Sequence, residues 1–489
     1  MTRRTLFRLL VAFTLVWLSW AAWSMIGRTH PYQLRVLDDQ GTPVAAALVD
    51  SGGTQLGTTG SDGRVDVVWD RSTRVLEVSA PGHVPRTVTV GNLPEETLDV
   101  VLKAQVLRGR VVDADGEGLE GALVDAQSAQ AVSDQKGYFQ IRGAEEGTVT
   151  VERAAWEPTS FQWDGGTGDS VVTLDPRIVR AVHIGGDEVV EEFDAFLQMA
   201  VDTELNALMI DLKDETGHVF YNTANQIASQ AGSIPEDTFD LEATVQRADD
   251  HDLYVIGRIV LFNDPIAAVG VPEMAVWDTT TDTPYEANGQ YFLDPTDPAA
   301  RQYGIDLAVE ACNRGVDEIQ FDYVRFPDSR GDSATFDGGV TPEVRVSTVS
   351  TMLSDAVAAL RPLGCAVGAD IFGYLTTATD DGGIGQLWEE VSGIVDVVSP
   401  MLYPSHFDPG WDGFEDPGAH PGTMVERSLA DGIDRLTKKV VVRPWLQDFD
   451  YDSNQVREQI AAVESFGLGW MLWNAASDVS VDALLPAEQ

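Results

Sequence analysis

Two aspartates stand at the ends of strand-like segments, where they could act as a nucleophile and a proton donor. Asp322 lies in residues 315–327 (GVDEIQFDYVRFP). As a strand, this segment would carry chemically different side chains on its two faces, and Pro327 would end its hydrogen-bonded pairing with a neighbouring strand. Asp370 lies in residues 365–372 (CAVGADIF). Hydrolysis of a glycosidic bond uses two carboxyl groups, one as acid and one as nucleophile or base. The alternative for Asp322 is a loop cap or a pair with Arg325.

Eight strand-like segments position these residues. They span residues 178–185, 207–213, 253–262, 316–326, 365–372, 395–403, 440–447 and 468–474. Amphipathic stretches with helical spacing separate several of them, at 191–204, 241–251, 299–314, 344–360 and 454–466. In this pattern a strand is followed by a helical or loop-rich connection, and the unit is repeated eight times. The pattern predicts an α/β fold, namely a (β/α)8 TIM barrel over residues 176–489.

Polar and aromatic side chains recur at the carboxyl ends of these segments. Barrel enzymes form their active sites at that face, so the segments predict one shared pocket. The predicted substrate-binding residues are Asp211, Lys213, Arg258, Gln320, Arg325, Tyr403, Trp445, Gln447, Asp448, Trp473 and Asn474. The two arginines would either hold a carboxylate-bearing sugar or orient Asp322. Trp470 and Trp473 would face opposite sides of the last strand, with Trp473 toward the pocket.

The predicted catalytic pair is Asp322 as nucleophile and Asp370 as acid/base. Neighbouring strands lie about 4.8 Å apart, which suits the roughly 5–5.5 Å carboxyl separation of retaining glycosidases. A general acid needs a raised pKa, which apolar walls such as Phe372, Tyr403 and Trp473 would provide. Binding of a substrate hydroxyl is the alternative role for Asp370. The alternative acids are Asp211, Glu215 and Asp448.

Several long motifs carry a resemblance to a known family. They are DEIQFDYVRFP (317–327), IDLKDETG (210–217), IGRIVLFNDP (256–265), SPMLYPSHF (399–407), RPWLQDF (443–449) and GWMLWNA (469–475). From residue 176 to about 486 the chain resembles the putative glycosyl hydrolase domain family of bacterial barrels. That resemblance implies a secreted or surface glycosidase-type barrel, with no substrate specified. A distant similarity to family 18 chitinases breaks at Val324, which stands where their catalytic Glu would be.

Residues 32–103 and 104–175 resemble each other. ALVD recurs at 47–50 and 122–125, and an Asp-x-x-Gly turn recurs at 38–41 and 113–116. Short alternating segments separated by Gly/Asp turns predict two small all-β sandwich modules. Both resemble carboxypeptidase regulatory-like modules, and we interpret them as spacers or weak glycan-binding modules.

Residues 1–30 have the pattern of a membrane segment. Arg3, Arg4 and Arg8 precede an apolar run at residues 9–26, close to the roughly 20 residues that span a bilayer. The sequence therefore predicts a transmembrane signal anchor that leaves the C-terminal part extracellular at the cell membrane. Secretion after signal cleavage is the alternative.

Composition excludes several partner classes. The chain has 32 Lys+Arg against 78 Asp+Glu, a net charge of −46, which disfavours nucleic acid and anionic lipid. Its histidines lack metal-ligand spacing and no phosphate-binding glycine loop is present, so no cofactor or metal is expected. The only cysteines, Cys312 and Cys365, precede neighbouring strands and could form a structural disulfide.

These patterns together predict a membrane-anchored glycoside hydrolase that acts on a polysaccharide or oligosaccharide. A barrel that binds glycan without catalysis, as a cell-surface scaffold, is the alternative.

Overall fold

In a computed structural model, the chain is described at residue 14 and at residues 30–69, 74–91, 97–287, 289–328 and 330–487. The chain divides into two compact units. One comprises residues 1–153 and 158–175, and the other comprises residues 154–157 and 176–489.

The first unit is built from β-sheets. Residues 30–104 form two four-stranded sheets. The strand order of one sheet is Arg64–Trp69, His30–Asp38, Thr97–Ala104, His83–Val84. The strand order of the other is Thr54–Thr58, Leu48–Ser51, Val75–Ser79, Arg86–Thr89. Residues 106–173 form a three-stranded sheet, Tyr138–Arg142, Val106–Val112, Asp169–Thr173, and a four-stranded sheet, Gln130–Val132, Leu123–Asp125, Gly147–Glu152, Thr159–Trp163. The division into two sandwich modules with the boundaries given above remains a prediction.

The internal similarity extends to the turns. Asp38 accepts backbone N–H bonds from Gln40 and Thr42 through its carboxylate, and Asp113 accepts the equivalent bonds from residues 115 and 117. Gly63 and Gly137 both have positive φ, and a Cβ there would lie within 2.5 Å of a backbone oxygen. The same Asx and glycine turns therefore close both copies.

Eight parallel strands form a closed barrel in the second unit. They are β1 (Arg180–Ile184), β2 (Ala207–Lys213), β3 (Tyr254–Val260), β4 (Glu318–Asp322), β5 (Ala366–Phe372), β6 (Val397–Leu402), β7 (Val441–Val442 with Trp445–Gln447) and β8 (Trp470–Trp473). Each strand pairs with the next, and β8 pairs with β1. The predicted (β/α)8 barrel is confirmed.

Helices follow seven of these strands. They are α1 (Gly186–Asp202), α2 (Gln226–Ala231), α3 (Leu241–Asp249), α4 (Pro265–Gly270), α5 (Pro298–Asn313), α6 (Pro342–Leu360), α7 (Trp388–Ser392), α8 (Pro421–Asp434) and α9 (Ser453–Glu464). Several begin at side-chain caps. Asp297 and Thr341 accept backbone N–H bonds of α5 and α6, each followed by a proline at the first helical position. Short strands and 3₁₀ turns occupy the long β3–α5 and β6–α8 connections.

The barrel strands separate two apolar regions. Their outward side chains, such as Ile319 and Phe321, pack against the helices in one large core. A second cluster, including Ala181, Met209, Ile256 and Met471, fills the barrel interior. Alternation along each strand therefore sends one set of residues to the helices and the other to the barrel axis.

The sequence-based membrane location is corrected. Among the described residues, no helix has the length and apolar character needed to cross a bilayer. The predicted anchor at residues 1–30 lies outside the described residues, apart from residues 14 and 30.

Strand β4 ends earlier than the sequence predicted. The expected strand continued to Phe326, whereas β4 ends at Asp322. Tyr323 has φ +48°, a left-handed conformation that breaks the strand geometry directly after Asp322.

Candidate active site

Asp322 stands where β4 breaks, at the carboxyl end of the barrel. Its Oδ1 accepts the Tyr323 backbone N–H at 2.6 Å. Its Oδ2 accepts two bonds from Arg258, from Nε at 3.1 Å and from Nη2 at 2.6 Å. The left-handed Tyr323 backbone and the guanidinium thus fix both carboxylate oxygens.

Arg258, on β3, connects three acidic side chains. Besides Asp322, it donates to Asp211 at 2.8 Å and to Glu215 at 3.4 Å. Its guanidinium carbon lies 4.7 Å from the Trp473 ring centroid. Because three protein carboxylates share the donors of this buried arginine, the structure favours its orienting role over binding of an acidic sugar.

His183 extends this network below the pocket. Its Nε2 lies 2.9 Å from Asp211 Oδ2 and its Nδ1 lies 3.0 Å from the backbone oxygen of Asn474. Burial alone would raise the pKa of Asp211, but the charge of Arg258 and the hydrogen bonds with Arg258 and His183 outweigh burial and lower it. Asp211 is therefore a poor general acid and a good anchor for Arg258.

Asp370, on β5, has the opposite environment. Its Oδ1 accepts from Gln320 Nε2 at 2.7 Å and from the Trp445 indole N–H at 2.5 Å. Its Oδ2 is buried without a hydrogen-bond partner among the described residues. Burial, together with the nearby charge of Asp322, raises the pKa of Asp370 well above its usual value.

The two aspartates occupy equivalent positions on neighbouring strands. Phe321 of β4 pairs in register with Ala369 of β5, and Asp322 and Asp370 each follow directly. Adjacent strands lie about 4.8 Å apart. The register therefore brings a salt-bridged carboxylate beside a buried carboxyl group with a raised pKa.

A pocket of about 140 Å³ opens above Asp322. Its lining residues are Glu215, Arg258, Asp322, Tyr323, Arg325, Phe372, Met401, Tyr403, Trp445 and Trp473. Asp370 lies behind this wall, because Trp445 both lines the pocket and donates to Asp370. Within the described residues, no group of three or more His, Cys, Asp or Glu is placed to hold a metal ion.

Residues 181–478 match the family described as Putative glycosyl hydrolase domain. The chain belongs to this family. The match spans the barrel, including both aspartates, and agrees with the resemblance inferred from the motifs. No curated protein matches the chain significantly.

Solved structures similar to this glycosyl hydrolase domain include three bacterial proteins. A hypothetical protein from Ruminiclostridium thermocellum is 29% identical and covers 39% of this chain and 96% of its own, with a TM-score of 0.35. The PgaB (BpsB) glycoside hydrolase domain from Bordetella bronchiseptica is 13% identical and covers 62% of this chain and 95% of its own, with a TM-score of 0.45. A class V chitinase from Pseudomonas fluorescens is 13% identical and covers 63% of this chain and 98% of its own, with a TM-score of 0.39.

Six residues predicted to bind substrate do not line the pocket of this glycosyl hydrolase domain. Asp211 accepts from Arg258 and Gln320 donates to Asp370, so these two act through their neighbours. Lys213 is buried, lies 3.0 Å from Asp264 and donates to the Val260 backbone oxygen. Gln447, Asp448 and Asn474 bond to backbone groups of the loops that follow β6, β7 and β8. These bonds hold the loops, and none of the three side chains lines the pocket, which corrects the interpretation that they face the substrate.

Arg325 lines the pocket through an aromatic cage. Its guanidinium carbon lies 4.6 Å from the Tyr323 ring centroid, 4.8 Å from Phe372 and 5.8 Å from Phe292. The ion pair with Asp322, which was the alternative to a catalytic role for that residue, is not formed, and Arg325 lies 3.7 Å from Asp328 instead. Arg325 therefore shapes the aromatic wall instead of orienting the aspartate.

The sequence-based site omitted several pocket residues. Tyr323 and Met401 were not predicted as lining residues, and Glu215 was named only as an alternative acid. Met401 follows the strand-end rule on β6, a signal that could have identified it. Tyr323 lines the pocket because its backbone is left-handed. A tyrosine in the sequence does not predict that conformation, which non-glycine residues seldom adopt.

Proposed function

We propose that this glycosyl hydrolase domain cleaves a polysaccharide with two carboxyl groups, Asp322 and Asp370. The observation that carries the proposal is their contrast on adjacent strands. Asp322 reaches the pocket as an ion pair with Arg258, whereas burial raises the pKa of Asp370. Carboxyl groups whose environments differ in this way can divide the roles of nucleophile and acid.

In the proposed mechanism, Asp322 attacks the anomeric carbon while Asp370 gives its proton to the leaving oxygen. The bond from the anomeric carbon to that oxygen breaks as the bond to Asp322 forms. Asp370 then takes a proton from water, whose oxygen displaces Asp322 and completes hydrolysis with retention. The spacing of adjacent strands, about 4.8 Å, supports the short separation that retention requires.

Glu215 is the competing candidate for the acid role. It lines the pocket, and its side chain is 41% exposed, whereas Asp370 is 1% exposed and lies behind Trp445. Asp370 has the raised pKa that an acid needs, and Glu215 has the access. We retain Asp370 for its raised pKa, because the geometry of an enzyme without bound substrate does not by itself rule out a general acid.

A sugar substrate is supported by the aromatic walls of the pocket. Tyr403, Trp445 and Trp473 all line it, and aromatic faces suit the C–H faces of pyranose rings. Trp473 also lies over Arg258, which fixes the position of its ring beside the proposed nucleophile. A polysaccharide composed of pyranose units is therefore the proposed substrate class.

The proposal is tested with Asp322→Asn, which keeps the size of the side chain and removes the attacking carboxylate. We expect turnover of a suitable aryl glycoside and of an oligosaccharide to fall by roughly 10³-fold or more. Asp355→Asn, an exposed change on the outer helix α6, is the matched control. Circular dichroism checks folding, and near-normal turnover by folded Asp322→Asn would reject the mechanism.

The acid role is tested by comparing leaving groups. Asp370→Asn should impair turnover less for an aryl glycoside with a good leaving group than for the oligosaccharide, because such a group needs little protonation. Equal losses on both substrates would reject Asp370 as the acid. If Glu215→Gln shows the leaving-group dependence instead, the acid role belongs to Glu215.

A catalytically silent glycan-binding barrel remains the second candidate. The observation that favours it is the pair of hydrogen bonds from Arg258 to Asp322 Oδ2, since such a pair also stabilises a fold in which Asp322 has no catalytic role. This candidate predicts glycan binding without turnover in the unaltered chain, and equal glycan affinity after Asp322→Asn.

A further inference from the structure

A second cavity, of about 470 Å³, lies beside the catalytic pocket. It forms between the segments that follow β5 and β6. Phe372, Met401 and Tyr403 line both cavities, so the two share a wall. Four half-buried aromatic side chains, Phe372, Tyr374, Phe407 and Trp411, characterise this cavity, which we name the aromatic groove.

The rings of the aromatic groove support one another. Trp411 lies 5.3 Å from Phe407 and 6.4 Å from Tyr374, measured between ring centroids. Phe372 lies 5.9 Å from Tyr374 and contacts the Arg325 guanidinium. These contacts limit the side-chain freedom of the groove before any ligand binds, which reduces the entropic cost of binding.

The backbone around Trp411 is also held in place. Gly410 and Asp412 on either side have positive φ, and Asp412 accepts from Arg427 of α8 at 2.5 Å. Asp408 and His406 add exposed polar groups to the same lining. The groove thus combines flat apolar faces with hydrogen-bonding groups, as a sugar ring requires.

The sizes of the two cavities explain why the groove matters. Small-molecule sites usually have volumes of about 300–1,000 Å³, so a catalytic pocket of about 140 Å³ offers little binding area by itself. The groove, at about 470 Å³, lies within that range and adjoins the pocket across the shared wall of Phe372, Met401 and Tyr403. A ligand that occupies both cavities must reach past this shared wall, which a chain of linked sugar units is long enough to do.

We infer that the aromatic groove is a subsite that binds pyranose units of a polysaccharide next to the bond cleaved at Asp322. The inference rests on the proposed function and adds to it the side from which the polymer approaches. Stacking on Trp411 and Tyr374 provides affinity for units beyond the one in the catalytic pocket. The site therefore prefers chains to isolated sugars.

The test uses the full chain carrying Asp322→Asn, so that ligands are bound without being cleaved. Chito-, cello-, xylo- and manno-oligosaccharides of two to six units are titrated while tryptophan fluorescence is recorded, with calorimetry as the second readout. Adding Trp411→Ala should weaken binding of the longest bound oligosaccharide by roughly tenfold or more. The loss should be smaller for the disaccharide of the same series.

Two further variants make the test specific. Trp411→Tyr should retain most of the affinity, because it keeps an aromatic face, and it covers the case in which the alanine variant fails to fold. Phe466→Ala is the matched control, since Phe466 is an exposed aromatic beyond the end of α9, outside both cavities. It should leave affinity unchanged.

The outcomes separate this inference from the proposed function. If the unaltered chain hydrolyses the oligosaccharide, and Trp411→Ala leaves the oligosaccharide affinity of the Asp322→Asn chain unchanged, the groove is not a subsite, whereas the proposed hydrolase activity stands. Length-dependent loss of affinity without hydrolysis by the unaltered chain would support the groove and overturn catalysis. Binding of no oligosaccharide in the panel by the full chain would overturn the groove.

Discussion

At the scale of residues, the site is defined by the unequal environments of two similar side chains. Asp322 contacts Arg258 and reaches the pocket, whereas Asp370 accepts two hydrogen bonds on one oxygen and is buried on the other. Both are aspartates at equivalent strand positions, so the chemistry of each depends on its neighbours. Arg258 pairs with Asp322, whereas burial and the nearby charge of Asp322 raise the pKa of Asp370.

Asp370→Asn should flatten the pH dependence of stability. Because burial raises the pKa of Asp370, the folded state keeps a proton that the unfolded state loses above about pH 4. This contribution to stability is complete below about pH 4 and is lost as the pH rises through the raised pKa. The asparagine side chain of the variant would stay neutral, and its carbonyl oxygen could still accept from Gln320 and Trp445.

The measurement is the free energy of unfolding by urea from pH 4 to pH 8. The free energy of the unaltered chain should fall relative to Asp370→Asn across this range, while Asp355→Asn should run parallel to the unaltered chain. A constant difference between Asp370→Asn and the unaltered chain would contradict the raised pKa.

At the scale of elements, close packing of β4 against β5 orients the proposed acid. Gln320 of β4 donates to Asp370, and it has room to do so because the neighbouring residue on β5 is Gly368. A Cβ at Gly368 would lie 2.0 Å from Gln320 Oε1. Absence of a side chain on one strand therefore sets the position of a side chain on the next.

Gly368→Ala should displace Gln320 and change the pH profile of activity. The hydrogen bond from Gln320 lowers the pKa of Asp370, so its loss should raise that pKa further. The descending limb of kcat/KM should move to higher pH, with a loss of stability of about 1–3 kcal/mol from overpacking. Gly91→Ala is the control, since its Cβ would meet nothing within 4 Å. An unshifted limb would count against the role of Gln320.

A disulfide joins the end of α5 to the start of β5. Cys312 and Cys365 are bonded, with Cα atoms 5.9 Å apart, as the sequence allowed. Replacing both with serine should lower the free energy of unfolding by about 2–4 kcal/mol, because the bond closes a loop across 53 residues. Urea unfolding measures the change, and the same loss should follow reduction of the unaltered chain. A loss of kcat/KM without a loss of stability would contradict a structural role.

At the scale of the whole molecule, the barrel contains most of the predicted chemistry. Its compact unit comprises residues 176–489 together with 154–157, and Arg177 donates a backbone bond to Ala155. The pocket at Asp322, the aromatic groove and the disulfide all belong to this unit.

A fragment of residues 176–489 should fold without the preceding sheets. It keeps the closed barrel and its core, so we expect native circular dichroism and a cooperative thermal transition. Loss of the short contact at residues 154–157 should lower the transition only slightly. Aggregation that is relieved only by restoring residues 32–175 would refute the prediction.

The sequence alone determined the fold of the barrel and the face that holds the site. Strand and helix periodicities are local properties, so all eight strands could be predicted, several with ends within one or two residues of those observed. The strand-end rule then indicated Asp322, Arg258, Tyr403 and Trp473, which do line the pocket.

Only the tertiary structure decided which strand-end residues are available to a substrate. Lys213 and Gln447 carry suitable groups, but Asp264 and loop backbone, brought close by folding, occupy those groups. The turn at Tyr323 and the rings around Trp411 likewise depend on partners distant in sequence. Periodicity fixes the side of a strand on which a residue lies, whereas its hydrogen-bond partners depend on the packing of the whole barrel.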